Sequence, residues 1–121
     1  MTASVDHIGI NVRDLDKSKA FYTGALAPLG IKVMMDFGEA VGMGEDAPFL
    51  WISRGNPGHV HVAFSAPDRA AVDAFHAAAM AAGGKDNGKP GLRTEYTPTY
   101  YAAFVLDPDG HNIEAVCHAP E

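Results

Sequence analysis

Apolar and polar residues alternate along two short segments of the chain, and each segment predicts a β-strand. The segments span residues 5–12 and 59–65. An alternation of this kind is typical of a strand with one packed face and one face open to a polar environment. The open face carries His7 in the first segment and His61 in the second.

Each of these strands is followed by a pattern typical of an amphipathic helix. The first helix is expected to begin after Asp14 or Asp16 and to run through Leu26, and the second to follow Asp68 and stop at Gly84. Core-facing positions are predicted at Ala20, Phe21 and Leu26 in the first helix and at Val72, Phe75, Ala79 and Met80 in the second.

Further short strands complete two βαβββ modules. They are predicted at residues 31–35, 40–43, 49–53, 100–106 and 112–117. The Gly-rich segment 85–93 predicts a loop or a weak edge strand, and the turn-forming residues 54–58 predict a linker between modules. The fold class is therefore α+β, with two modules forming a curved mixed sheet around a cavity.

An internal repeat supports this division. At an offset of 54 residues, His7 matches His61, Asp14 matches Asp68, Phe21 matches Phe75 and Gly30 matches Gly84. We interpret the chain as a single domain, 1–121, made of modules 1–56 and 57–121. The repeat also places the two histidines at equivalent points, where they could meet across a pseudo-two-fold axis.

Composition narrows the possible functions. The 121 residues are 47% hydrophobic and 20% charged, as expected for a globular protein, and the net charge of −6 argues against nucleic-acid binding. The single cysteine excludes an internal disulfide, and no apolar run is long enough to span a bilayer. No signal-peptide core precedes the first strand, so a cytoplasmic location is expected, with no membrane partner.

Strand parity singles out His7, His61 and Glu114. Glu114 lies between apolar residues of the last predicted strand, where a carboxylate is costly unless it is paired or bound to a cation. Two imidazoles and a carboxylate match an open site for Fe, Mn, Zn or Ni as the divalent metal. The alternative is that these side chains form only hydrogen bonds in a polar groove.

The chain resembles the vicinal oxygen chelate superfamily, which includes glyoxalase I, bleomycin-resistance proteins, extradiol dioxygenases and fosfomycin thiol transferases. The resemblance rests on residues 6–12, 20–22, 61–64 and 104–114 and covers essentially the whole chain. It implies a glyoxalase-like fold whose metal ligands are His7, His61 and Glu114. Glu114 is then also the candidate catalytic residue, with a role in proton transfer.

The chain departs from individual members of that superfamily. The fourth ligand of glyoxalase I is missing, since strand 49–53 has no Glu, Asp, Gln or His. Phe104 occupies the position of a tyrosine shared by the dioxygenases and fosfomycin enzymes, and Gly9 that of a fosfomycin-enzyme threonine. Instead, Trp51, Tyr100 and Phe104 predict an aromatic substrate pocket beside the metal.

Three functions remain open at this point, the last of them a vestigial or regulatory domain whose triad remains only as a hydrogen-bonded cluster. The first is a metal-dependent enzyme that chelates a small oxygenated substrate, with lyase or isomerase, thiol-transfer or dioxygenase chemistry. The second is a metal-free protein that sequesters a small molecule, as bleomycin-resistance proteins do. The resemblance further implies a homodimer, in which the two histidines meet either within one chain or across two.

Overall fold

The computed structural model describes residues 5–120, so residues 1–4 and 121 of the predicted domain lie outside the described part. In chain order the elements are β1 Ile8–Val12, α1 Leu15–Leu26, a 3₁₀ turn Ala27–Leu29, β2 Lys32–Asp36, β3 Ala40–Gly44, β4 Pro48–Arg54, β5 His61–Ser65, α2 Arg69–Ala81, β6 Lys85–Leu92, β7 Tyr101–Leu106 and β8 Asn112–Cys117. Side-chain carboxylates cap both helices: Asp14 accepts from the backbone N–H of Lys17, and Asp68 from that of Ala71.

The strands form two four-stranded sheets of the same topology. One sheet has the order β1-β4-β3-β2 and the other the order β5-β8-β7-β6. The first strand of each sheet pairs in parallel with the last strand of its own module, and the other pairs are antiparallel. Within the described residues, β1 and β5 are therefore edge strands, each with one side not paired in its sheet.

Both helices pack on one side of their sheets and against each other. Helix α1 contacts β4 and β2, helix α2 contacts β6, β7 and β8, and the two helices are in mutual contact. A single hydrophobic core draws residues from both modules, including Phe21, Leu50, Phe75 and Ile113. The opposite face of each sheet is left open, and the candidate site residues lie on that face.

Two polar contacts connect the modules, one from the buried ring of His111 to Asn11 and one from Tyr22 to Asp107. The His111 ring contacts Asn11 O through Nε2, at 2.9 Å, and accepts the Val60 N–H at Nδ1, at 3.2 Å. Because a carbonyl can only accept and an N–H can only donate, these partners fix the neutral tautomer with the proton on Nε2. In addition, the Tyr22 hydroxyl donates to Asp107 at 2.5 Å, which anchors the β7–β8 turn to α1.

Most predicted elements are confirmed, and two helix positions are wrong. Ala20 is exposed, because the buried side of α1 is centred on Leu15, Ser18, Tyr22 and Ala25. Met80 is 39% exposed, because it lies beside the buried face of α2, which is formed by Val72, Phe75 and Ala79. The Gly-rich segment 85–93 does form a strand, β6, and it lies at a sheet edge. No helix in the described part of the chain is long and apolar enough to cross a membrane.

Candidate metal centre and ligand cavity

Strand pairing places the candidate residues in register on the open face of the second sheet. Glu114 of β8 pairs with Ala63 of β5 on one side and with Phe104 of β7 on the other. His61 lies two residues before Ala63 and therefore shares its face. Alternate residues of β8, such as Ile113, belong to the core on the helix side.

Glu114 is the buried centre of a polar cluster. Its side chain is only 1% exposed, although it carries a carboxylate. Oε1 lies 2.9 Å from His61 Nε2, and Oε2 accepts a hydrogen bond from the Tyr100 hydroxyl at 2.5 Å. Burial and the bond to Glu114 raise the pKa of Tyr100 to about 12, so its hydroxyl remains a donor at neutral pH. The cluster thus satisfies both carboxylate oxygens.

A cavity of about 400 Å³ opens directly onto this cluster. Its lining consists of His61, Tyr96, Tyr100, Phe104 and Glu114. The rings of Tyr96 and Tyr100 meet edge to face at 4.9 Å, and the Phe104 ring lies 6.3 Å from that of His61. One polar cluster on an otherwise aromatic wall is typical of a small-molecule site. Of the predicted pocket residues, Tyr100 and Phe104 therefore lie beside His61 and Glu114.

The pair formed by His61 and Glu114 fits a divalent metal ion. Such ions bind imidazole nitrogen and carboxylate oxygen at about 2.0–2.2 Å, so two ligands at right angles are roughly 3 Å apart. The 2.9 Å between Nε2 and Oε1 agrees with that spacing. Tyr100 supports the arrangement by fixing the other carboxylate oxygen, as outer hydrogen-bond partners of metal ligands commonly do.

The third predicted ligand, His7, is not part of this cluster within one chain. Its side chain is 61% exposed, and its Nδ1 lies 2.7 Å from Asp6. A cleft of about 310 Å³ lies between the start of β1 and strand β5, with Asp6 and Ile8 on one side and His61 on the other. Among residues 5–120, no three His, Cys, Asp or Glu side chains are grouped closely enough to hold a metal ion.

Trp51, the remaining pocket candidate, lies on the first sheet. Gly9 pairs with Trp51 as Ala63 pairs with Glu114, so the indole occupies in one module the position that the carboxylate occupies in the other. The indole covers Gly42 and stacks with Phe37, whose ring centroid is 6.0 Å away. The first module therefore offers a flat aromatic surface where the second offers a polar cluster.

Two residues of the cavity region had only a weak signal in the sequence. Tyr96 lies in a turn after β6, outside any periodic pattern, so it reads equally well as a rim or a packing residue. From the sequence, Arg93 is either a residue that binds an anionic substrate or, more commonly, a solvated loop arginine; in the structure it is half-buried and its guanidinium lies 5.4 Å above the ring of Phe104. A long side chain after a Gly-rich strand is the only hint that sequence alone provides.

Comparison with known proteins identifies the family. Residues 4–115 match the model of the Glyoxalase/Bleomycin resistance protein/Dioxygenase superfamily, and the chain belongs to that superfamily. The resemblance noted from the sequence and the α+β, two-module fold are both confirmed. None of the curated proteins compared with the chain matches it.

Several solved structures share this fold. A glyoxalase/bleomycin resistance protein from Albidiferax ferrireducens T118 is 30% identical, with a TM-score of 0.81 over 94% of this chain and 98% of that one. A lactoylglutathione lyase from Agrobacterium tumefaciens is 20% identical, with a TM-score of 0.73 over 97% and 95% of the two chains. A glyoxalase/bleomycin resistance protein/dioxygenase family enzyme from Burkholderia phytofirmans PsJN is 19% identical, with a TM-score of 0.75 over 97% and 100%. The latter two likenesses bear on the fold alone.

Proposed function

We propose that the protein is a divalent-metal-dependent enzyme acting on a small oxygenated substrate. The observation that carries the proposal is the pair of His61 and Glu114, a nearly fully buried carboxylate 2.9 Å from an imidazole at an aromatic cavity. The candidate reactions are those of its superfamily: lyase or isomerase chemistry, thiol transfer and dioxygenation. One relative of the same fold is a lactoylglutathione lyase.

The chain's own residues have distinct roles in this proposal. A bound Fe, Mn, Zn or Ni ion would polarise the substrate's oxygens and stabilise negative charge on them. His61 and Glu114 would hold that ion, and Tyr100 keeps the Glu114 carboxylate in one orientation. The Glu114 carboxylate can hold a proton taken from the substrate when its Oε1 is not bound to the ion, while Phe104 provides an apolar wall beside it.

A second copy of the chain would supply the third ligand. His7 directly precedes the edge strand β1 of the first sheet, and His61 is the first residue of the edge strand β5 of the second. Pairing of β1 from one copy with β5 from the other would bring His7 of one copy to His61 and Glu114 of the other. It would also leave neither strand edge unpaired. In such a homodimer, Trp51 of one protomer would face the cavity of its partner.

The second candidate function is metal-free sequestration of a small molecule. One observation favours it: both oxygens of Glu114 already have hydrogen-bond partners in Tyr100 and His61, so the carboxylate is satisfied without a cation. The aromatic lining would then bind a flat ligand by stacking.

Metal titration separates the two candidates. Chelator-treated protein is titrated calorimetrically with Mn(II), Ni(II), Zn(II) and anaerobic Fe(II) near pH 7.5, where free imidazole is largely neutral, as metal binding requires. We expect stoichiometric binding that Glu114→Gln weakens by more than about a hundredfold, since even partners of metal ligands contribute about tenfold to a hundredfold.

The matched control is Glu95→Gln, which removes the same charge from an exposed position. It should bind metal like the wild type. Equal affinities in the wild type and in Glu114→Gln would overturn the metal-enzyme proposal. Binding of flat aromatic probes to the metal-free protein would then support sequestration.

A further inference from the structure

Arg93 is held in a fixed position on the open face of the second sheet. Its Nη1 donates to the carbonyl of Gly91 at 2.9 Å, and its Nη2 donates to the carbonyl of Lys89 at 2.8 Å. The guanidinium also lies 5.4 Å above the Phe104 ring, within the range of a cation–π contact. This side chain is therefore preorganised, unlike a loop arginine that moves freely in water.

Two glycines of β6 make room for the guanidinium. A Cβ at Gly88 would lie 3.1 Å from Arg93 Nη2 and 2.8 Å from Phe104 Cδ1, and a Cβ at Gly91 would lie 3.1 Å from Arg93 Nη1. Both distances to the arginine are tighter than ordinary van der Waals contact. The glycines of β6 thus explain how the guanidinium fits: it lies against two residues that have no side chains.

The register of the sheet aligns Arg93 with the candidate metal centre. Gly88 pairs with Phe104, Phe104 with Glu114, and Glu114 with Ala63, so the four positions form one row across the sheet. Neighbouring strands are about 4.8 Å apart, which places the backbone under Arg93 roughly 10 Å from that of Glu114. Phe104 lies between them and forms an apolar floor.

The positive charge of Arg93 has no acidic partner in the described part of the chain. The ion pairs found among residues 5–120 involve other cations, and the only acceptors of Arg93 are the two backbone carbonyls. A half-buried guanidinium with N–H groups left over is well suited to bind a carboxylate through two parallel hydrogen bonds.

We propose that Arg93 is the anion-binding residue of this cavity and that the substrate is a small carboxylic acid. Its oxygen-bearing end would lie at His61 and Glu114, its flat apolar skeleton over Phe104, and its carboxylate against Arg93. This inference rests on the proposed function, because it takes His61 and Glu114 as the point where the substrate's oxygens bind. It adds the chemical class of the substrate.

A matched pair of probes tests the proposal. The first is 3,4-dihydroxyphenylacetate, which has vicinal oxygens at one end and a carboxylate at the other, and the second is its uncharged methyl ester. Dissociation constants are measured calorimetrically with Mn(II)-loaded protein for the wild type, Arg93→Gln, Arg93→Lys and the control Lys89→Gln. Lys89 is an exposed cation on the same strand.

We expect the wild type to bind the acid more tightly than the ester. Arg93→Gln should weaken the acid by about tenfold to a hundredfold, the usual effect of losing hydrogen bonds to a charged group, and leave the ester within about twofold. Arg93→Lys should fall between them, because it keeps the charge but not the planar fork. Lys89→Gln should behave like the wild type.

Equal weakening of acid and ester in Arg93→Gln would assign the arginine a purely structural role and overturn the proposal. So would equal affinities of the two probes for the wild type, or no binding of either probe by protein that binds Mn(II). Titration of Mn(II) into Arg93→Gln keeps the two proposals apart. If Arg93→Gln binds Mn(II) as tightly as the wild type, the proposed metal centre is supported even when the proposed anion site is overturned.

Discussion

At the scale of single residues, the buried pair of Tyr22 and Asp107 makes the stability of the fold depend on whether the Tyr22 hydroxyl is protonated. Its ring is fully buried, and its hydroxyl donates to the buried carboxylate of Asp107 at 2.5 Å. Burial and the neighbouring negative charge of Asp107 raise the pKa of Tyr22 well above its usual value. The folded protein therefore keeps the phenol proton under conditions in which the unfolded chain loses it.

This pair predicts a loss of stability at alkaline pH. The contribution of Tyr22 is fully present below pH 10, the approximate pKa of an unfolded tyrosine, and declines as the pH rises above it. We expect Tyr22→Phe to lower the free energy of unfolding at pH 7 by about 1.5–3 kcal/mol, the usual range for a hydrogen bond to a charged group. The variant should also lose less stability than the wild type between about pH 10 and 11.

Urea unfolding at a series of pH values measures both effects. Tyr96→Phe is the control, since Tyr96 is 61% exposed. If Tyr22→Phe and Tyr96→Phe show the same pH dependence above pH 10 as the wild type, the raised pKa of Tyr22 contributes nothing to stability and the interpretation is wrong.

Residue-level prediction from the sequence was best where a strand fixes the direction of a side chain. Because side chains alternate strictly along a strand, parity alone predicted that His61 and Glu114 share the open face, and the structure places them 2.9 Å apart. The bond from Tyr100 to Glu114 and the position of Arg93 over Phe104 could not be predicted in this way. The period of strand 100–106 predicts only that Tyr100 shares the face of Phe104, and Arg93 lies after the end of β6, where no period fixes the direction of a side chain.

At the scale of elements, the two modules share a topology but differ in what they place on the open face. Trp51 occupies the position equivalent to that of Glu114, and its indole covers Gly42 of the neighbouring strand. A Cβ at Gly42 would lie 2.8–3.0 Å from three ring atoms of Trp51, whereas a Cβ at Gly9, on the other side, would lie 3.9 Å from the nearest atom, a backbone oxygen. The position of the Trp51 indole on the sheet thus depends on Gly42 and not on Gly9.

Substitution of these glycines tests that dependence. Gly42→Ala should displace the indole from the sheet, shift the fluorescence of the single tryptophan and lower stability by about 1–3 kcal/mol, the usual cost of overpacking. Gly9→Ala should leave the emission unchanged, because its methyl group meets only an ordinary contact. Identical spectra for both variants and the wild type would contradict the placement of Trp51.

The errors of sequence prediction at this scale also have physical causes. A helix repeats every 3.6 residues, so a stripe of four or five apolar side chains does not determine whether the residues at its two edges are buried. Ala20 and Met80 lie at such edges and are exposed. Strand β6 was hard to distinguish from a loop, since glycine and proline are depleted in strands. Its pairing with β7, together with the space that Arg93 needs, accounts for those glycines.

At the scale of the whole molecule, the buried core joins the two modules, while the open faces of their sheets remain separate. Helices α1 and α2 pack together, and His111 connects the end of β1 to the start of β5 through Asn11 and Val60. His7 and His61 are matched by the repeat, but no local pattern says whether such residues meet within one chain or between two. That choice depends on association, which is a property of the assembled molecule.

Mixing two inactive variants distinguishes the arrangements. In the proposed homodimer, His7 of one protomer completes the site formed by His61 and Glu114 of the other. His7→Ala and Glu114→Ala should each lose high-affinity metal binding. After joint refolding, random pairing gives half heterodimers, and each contains one site with all three ligands, so about a quarter of the wild-type sites should return. Calorimetric titration of the mixture counts them. If His7 instead acts within its own chain, neither variant contributes an intact site, and the mixture binds no more metal than the two variants do separately. A mass near 12.8 kDa in light scattering would exclude the dimer directly.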